Sequence, residues 1–80
     1  MSSDTQRELT FGEKAVGFNF NPSQDPIVAG LKNKFADIID DLNDLRNQTA
    51  DGEEKRMYSV AITEVQTAQM WAVKAVTWGK

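Results

Sequence analysis

Arg56-Met57-Tyr58-Ser59-Val60-Ala61-Ile62-Thr63-Glu64-Val65-Gln66-Thr67-Ala68-Gln69-Met70-Trp71-Ala72-Val73-Lys74-Ala75-Val76-Thr77-Trp78 carries a helical period, and its reading decides the rest of the chain. Ala61, Val65, Ala68, Ala72 and Val76 recur at spacings of three and four and form one seam. Ile62, Met70 and Val73 widen that seam beyond the stripe of an ordinary surface helix. One partner helix does not cover so wide a face. The segment is therefore expected to bury itself against further copies of the chain.

Upstream, Asp25-Pro26 reads as a helix start, since Asp caps free N–H groups and Pro suits the first helical position. Val28, Leu31, Phe35, Ile38, Leu42 and Leu45 then alternate in steps of three and four as a heptad-like seam. Asp37, Asp40, Asp41 and Asp44 fall on the opposite face. Asp51-Gly52-Glu53-Glu54 resembles an Asp-x-x-Glu capping box opening a second helix. The expected helices run over 26–47 and 52–78. So short a connection makes them antiparallel neighbours. The fold class is all-α: an antiparallel helical hairpin with an N-terminal arm, in a homo-oligomer expected to be a hexamer. Residues 1–8 read as a flexible polar N-terminus and 9–80 as the single hairpin domain.

The bulk numbers point the same way. Eighty residues build one small core with little margin, so such domains rely on disulfides, metals or oligomerisation. No Cys is present, which removes disulfides and thiolate metal sites. No His is present either, which removes the commonest general base and the best zinc ligand. Oligomerisation remains. With 9 basic and 12 acidic residues the net charge is −3, which argues against non-specific binding to nucleic acid and a membrane-surface role. The N-terminus lacks an apolar signal core, and no apolar run approaches the roughly 18–20 residues that span a bilayer. The chain is expected to be soluble and cytoplasmic.

Residues 9–24 look like neither a good helix nor a good strand, yet they hold Phe11, Phe18 and Phe20. Such an arm is expected to lie over the helices as an apolar lid, and one Phe can also stack on a ligand. The Asp residues of the first helix read as a solvated face rather than a metal site. No P-loop, dinucleotide-binding glycine motif or nucleophile–base set is present, so no catalytic residue, metal or cofactor is expected. Arg56, Ser59, Thr63, Gln66 and Thr67 recur along the second helix as small polar groups with one Arg. They suit either an oligomer contact or a ligand lining, with Arg56 available to phosphate. Asn21-Pro22-Ser23 serves as a turn and cap. It also brings N–H groups to the positive end of the first helix, with Lys32 and Lys34 one to two turns along.

Two stretches carry a family resemblance. Phe11-Gly12-Glu13-Lys14-Ala15-Val16-Gly17 followed by Phe20-Asn21-Pro22-Ser23 is one. Arg56-x-x-Ser59-x-Ala61-x-Thr63 running into Ala68-Gln69-Met70-Trp71-Ala72-Val73-Lys74-Ala75 is the other. Together they resemble the helical hairpin of phage anti-CBASS and anti-Thoeris sponge proteins, over about residues 9–78. The resemblance implies a non-enzymatic protein of the bacterial host cytoplasm that sequesters cyclic di- or trinucleotide immune messengers, or cyclic ADP-ribose isomers, without cleaving them. It implies hexamers with dinucleotide pockets between protomers, where an arm aromatic stacks on a base and Lys32 or Lys34 meets phosphate. Where the family places a Tyr this arm offers Phe11, Phe18 and Phe20, with Phe11 placed first. Lys14, Asn21 and Ser23 belong to the same expected site. Arg56, Ser59 and Thr63 fit a separate trinucleotide site near a threefold axis. The rival reading is a small structural or adaptor hairpin of phage origin with no nucleotide ligand.

Overall fold

A computed structural model describes residues 8–21 and 24–79; the expected flexible N-terminus lies, save for Glu8, outside the described residues, as do Pro22 and Ser23. The described chain is α-helical, with α1 (Phe11–Ala15), α2 (Pro26–Gln48) and α3 (Gly52–Val76), and no strand forms among the described residues. α2 opens as its sequence requires: Pro26 takes the first turn and Asp25 Oδ1 accepts from the Ile27 N–H at 2.8 Å. α3 starts at Asp51, whose side chain accepts from the Glu54 N–H at 2.9 Å. The reciprocal half of the expected capping box is absent. Glu54 instead accepts from the Thr49 hydroxyl at 2.7 Å, and the Thr49 oxygen accepts from the Asp51 N–H at 3.2 Å. Thr49 thus closes the turn that sets α2 and α3 antiparallel. α3 ends at Val76, and the Thr77 hydroxyl then donates to the Val73 carbonyl at 2.8 Å.

The arm departs from the loop expected of it. Thr10-Phe11-Gly12-Glu13 is a complete capping box: Thr10 Oγ1 accepts from the Glu13 N–H at 3.1 Å, and a Glu13 carboxylate oxygen accepts from the Thr10 N–H at 2.9 Å. Gly12 disfavours a helix by intrinsic propensity, but here it is the only residue that fits. A Cβ at Gly12 would stand 2.1 Å from the Ala36 carbonyl oxygen. α1 lies directly on the α2 backbone, and the Gly12 N–H donates to Asp40 Oδ1 at 2.7 Å. Asp40 is therefore not part of a solvated carboxylate face, whereas Asp37, Asp41 and Asp44 remain exposed.

The core lies where α1, α2 and α3 meet. Val16, Ala36, Ile39 and Ile62 form it, with Phe18, Phe35, Leu42 and Val65 half-buried around them. Ile39 alone is the large side chain sealed completely from solvent, so Ile39→Ala would cost about 2–5 kcal/mol. The buried strip of α2 runs through Val28, Lys32, Ala36 and Ile39, rotated from the expected Val28–Leu45 seam because α2 serves both α1 and α3. Ile38 and Leu45 are left exposed. On α3 the buried positions are Ile62 and Gln69, and Ala68 of the expected seam faces outward. The protomer is a slab of 43 × 38 × 12 Å, close to one helix layer thick. No helix among the described residues is long and apolar enough to cross a membrane.

Candidate functional site

After α1 the chain turns through Gly17, whose φ of 63° favours glycine, and the Phe20 N–H donates back to the Gly17 carbonyl at 2.9 Å. This turn aims the Gly17 and Phe20 carbonyls at α2. Lys32 rises to meet them: its ammonium donates to Gly17 O at 2.9 Å and to Phe20 O. Lys32 is only 3% exposed, and burial pushes its pKa below the ordinary value. The Phe20 ring stays in solvent at 74% exposure, its centre 5.6 Å from the Lys32 ammonium. Lys32 therefore fastens the arm and places a cation beneath an open aromatic face.

A pocket of about 440 Å³ opens at this point, walled by Lys14, Gly17, Phe20 and Lys32 on one side and by Gln66, Gln69, Met70 and Val73 of α3 on the other. Gln66 Nε2 donates to the Ala15 carbonyl at 3.2 Å and ties the two walls together. Gln69 is 5% exposed, yet its side-chain amide forms no hydrogen bond among the described residues. A buried amide without a protein partner is uncommon, and its position in a pocket wall suits recognition of a polar ligand edge. The arrangement offers two cations, an aromatic face and an amide within one cleft.

The residues expected from sequence separate into several places. Lys14 and Lys32 come together in the pocket. Lys34 does not: it is exposed and lines no part of it. Phe11, the arm aromatic placed first, is also absent from the walls, and Phe20 occupies that position instead. The Phe11 ring lies 5.5 Å from the Arg46 guanidinium carbon. Asn21 shapes the approach to α2, with its amide donating to the Asp25 carbonyl and its oxygen accepting from the Asp25 N–H, both at 3.1 Å. Ser23 lies outside the described residues.

On α3, Arg56 forms an exposed pair with Glu53 at 2.6 Å, which lowers the Glu53 pKa and raises that of Arg56. Thr63 donates to the Ser59 carbonyl at 3.2 Å within the helix. Ser59 Oγ accepts from Arg46 Nη1 at 2.9 Å, and Asn43 Oδ1 accepts from Arg46 Nη2 at 2.7 Å. Arg46 and Gln69 are the polar residues that sequence reasoning missed. Arg46 sits at the end of an acidic helix, and Gln69 lies within a quoted motif that was read as apolar packing. Tyr58 donates to a Glu54 carboxylate oxygen at 3.0 Å, a bond to the neutral phenol that raises its pKa.

Among the described residues no cluster of His, Cys, Asp or Glu could hold a metal ion. Comparison with known families gives one match: the family model described as Acb2/Tad1, hairpin domain, matches residues 13–77. No curated protein and no solved structure matches the chain.

Proposed function

Since the chain belongs to the Acb2/Tad1 hairpin family, the anti-CBASS and anti-Thoeris sponges, we propose that it sequesters cyclic di- or trinucleotide messengers reversibly and without cleaving them. The family implies a phage anti-defence role exercised by binding cyclic oligonucleotides. The observation that carries the finer reading is the cleft that joins Lys14, Lys32, Phe20 and the unbonded amide of Gln69. A cyclic dinucleotide presents two phosphates and two flat bases. Cations answer the first, an aromatic face the second, and an amide a base edge. Cyclic ADP-ribose isomers share the phosphate-and-base chemistry. The polar edge of α3, with Arg56, Ser59 and Thr63, is the proposed place for trinucleotides. Absence of turnover accords with a chain that has no His and no Cys.

The proposed working form is a homo-oligomer, a hexamer, acting in the host cytoplasm. A pocket that is open on one protomer can then be closed by another. Calorimetry against a panel of cyclic dinucleotides, cyclic trinucleotides, cyclic ADP-ribose isomers and their linear counterparts tests the reading. Tight binding of a cyclic ligand, with that ligand recovered intact after denaturing the protein, is the expected result. Binding of none would leave the structural or adaptor hairpin as the better reading.

A further inference from the structure

The arm covers one side of the hairpin and leaves the other bare. Gly12 meets Ala36 and Asp40 on α2, and Gln66 of α3 reaches Ala15. At about 100° per residue, Ile27, Ile38 and Leu45 lie roughly half a turn round α2 from that contact. Ala61 and Ala68 lie correspondingly away from Gln66 on α3. Because the helices are antiparallel, the same rotation brings both strips to one face of the slab. Ile27, Ile38 and Leu45 are 60%, 48% and 44% exposed on it. The alanines opposite them would let a second backbone approach closely.

We propose that this face is an interface with a second copy of the chain, arranged about a twofold axis beside Ile38. The charges bordering the strip select that occupant. Lys34 precedes Ile38 by four residues and Asp41 follows it by three, on the same edge, about 10.5 Å apart along the helix. Neither makes a hydrogen bond or ion pair within the described protomer. In an antiparallel α2–α2 contact centred at Ile38, Lys34 of each copy meets Asp41 of the other, giving two reciprocal pairs. A parallel contact in the same register sets like charges together and is disfavoured. Gly30 fits the same face-to-face contact. It is a glycine inside a helix, with open space where a Cβ would stand, and nothing in the protomer fills the room above it.

This inference rests on the proposed self-association and not on the ligand chemistry. Sedimentation velocity across the micromolar range tests it with variants whose changed side chains are exposed, with circular dichroism to verify folding. Lys34→Glu and Asp41→Lys should each weaken association by about tenfold, since each sets like charges opposite one another twice. The double variant should recover wild-type association within about threefold, because the pairs reform with reversed sign. Ile38→Glu should give a folded 8.9 kDa species. A wild-type chain that sediments as a monomer overturns both the self-association and this face. An assembled wild type whose single variants are unaffected, or whose double variant stays as weak as the singles, overturns this face alone. Association unchanged by Ile38→Glu does the same.

Discussion

The backbone N–H of Gly12 donates to Asp40 Oδ1 at 2.7 Å, which fixes the arm to α2 across 28 residues of sequence. The contact depends on a missing side chain, for a Cβ at this position would stand 2.1 Å from the Ala36 carbonyl oxygen. The opposing atom is helix backbone and cannot rotate away. Gly12→Ala should therefore lift α1 from α2 and cost about 1–3 kcal/mol in urea denaturation, with further loss of the Asp40 bond. Asp40→Ala removes the bond without the clash and should cost less. Equal stability of Gly12→Ala and wild type would show that the arm is not anchored there.

Lys32 gives the fold a pH dependence of defined sign. Burial lowers its pKa from the ordinary 10.5, so between the lowered value and 10.5 the unfolded chain holds more protons than the folded one. Its contribution to stability accordingly rises with pH through that window. Tyr58 acts in the opposite sense: its pKa is raised by Glu54, and the stability it contributes is lost as pH climbs through the folded value. Lys32→Met isolates the first effect. The stability difference, wild type minus variant, should become more favourable to wild type from pH 8 toward 10.5. The same comparison with Tyr58→Phe should run the other way. A flat difference for Lys32→Met would mean that its ammonium is solvated in the folded chain.

The hairpin was legible in the sequence because its signals are local. Asp25-Pro26 and Asp51 mark helix starts, and two apolar periods separated by a short turn leave one arrangement. What escaped is what depends on distant neighbours. The Thr10–Glu13 box was obscured by the two glycines near it, since propensity does not report that Gly12 must meet Ala36. The face of α2 was misjudged by a fraction of a turn because periodicity cannot say that two elements share one helix. Phe11 and Phe20 are equivalent as letters. Only the Gly17 turn sends one toward Arg46 and the other over Lys32.

Arg46 couples the hairpin's two long helices through neutral partners. Its guanidinium donates to Asn43 on its own helix and to Ser59 on α3, with the Phe11 ring against it. Asn43 holds the fork in place, so little side-chain freedom is lost in reaching Ser59. A double-mutant cycle with Arg46→Ala and Ser59→Ala should give a coupling of about 0.5–1.5 kcal/mol. Arg46→Lys should behave nearly as Arg46→Ala, because an ammonium cannot serve both partners in the same plane. Additive single effects would place the contribution of Arg46 in its packing on Phe11 rather than in the bond to Ser59.

The two arm aromatics separate ligand binding from stability. Phe20 is exposed beside Lys14, Lys32 and Gln69, and α3 does not need it for its own packing. Phe20→Ala should therefore leave the thermal midpoint close to wild type while weakening a cyclic dinucleotide by about 1–3 kcal/mol, the range for one stacked base. Lys14→Ala should weaken it by about 1.5–3 kcal/mol if its ammonium meets phosphate, and the loss should shrink as salt is raised. Gln69→Leu, which fills the same space without the amide, should preserve the fold and lower affinity for ligands whose base edge it recognises. Phe11→Ala should do the reverse: it withdraws the surface under Arg46 and lowers stability, but leaves ligand affinity within about threefold, since its ring lies outside the pocket. Calorimetry on the four variants under one buffer makes the comparison. A Phe11→Ala variant that loses the ligand while Phe20→Ala keeps it would move the stacking site to the Arg46 side of the arm.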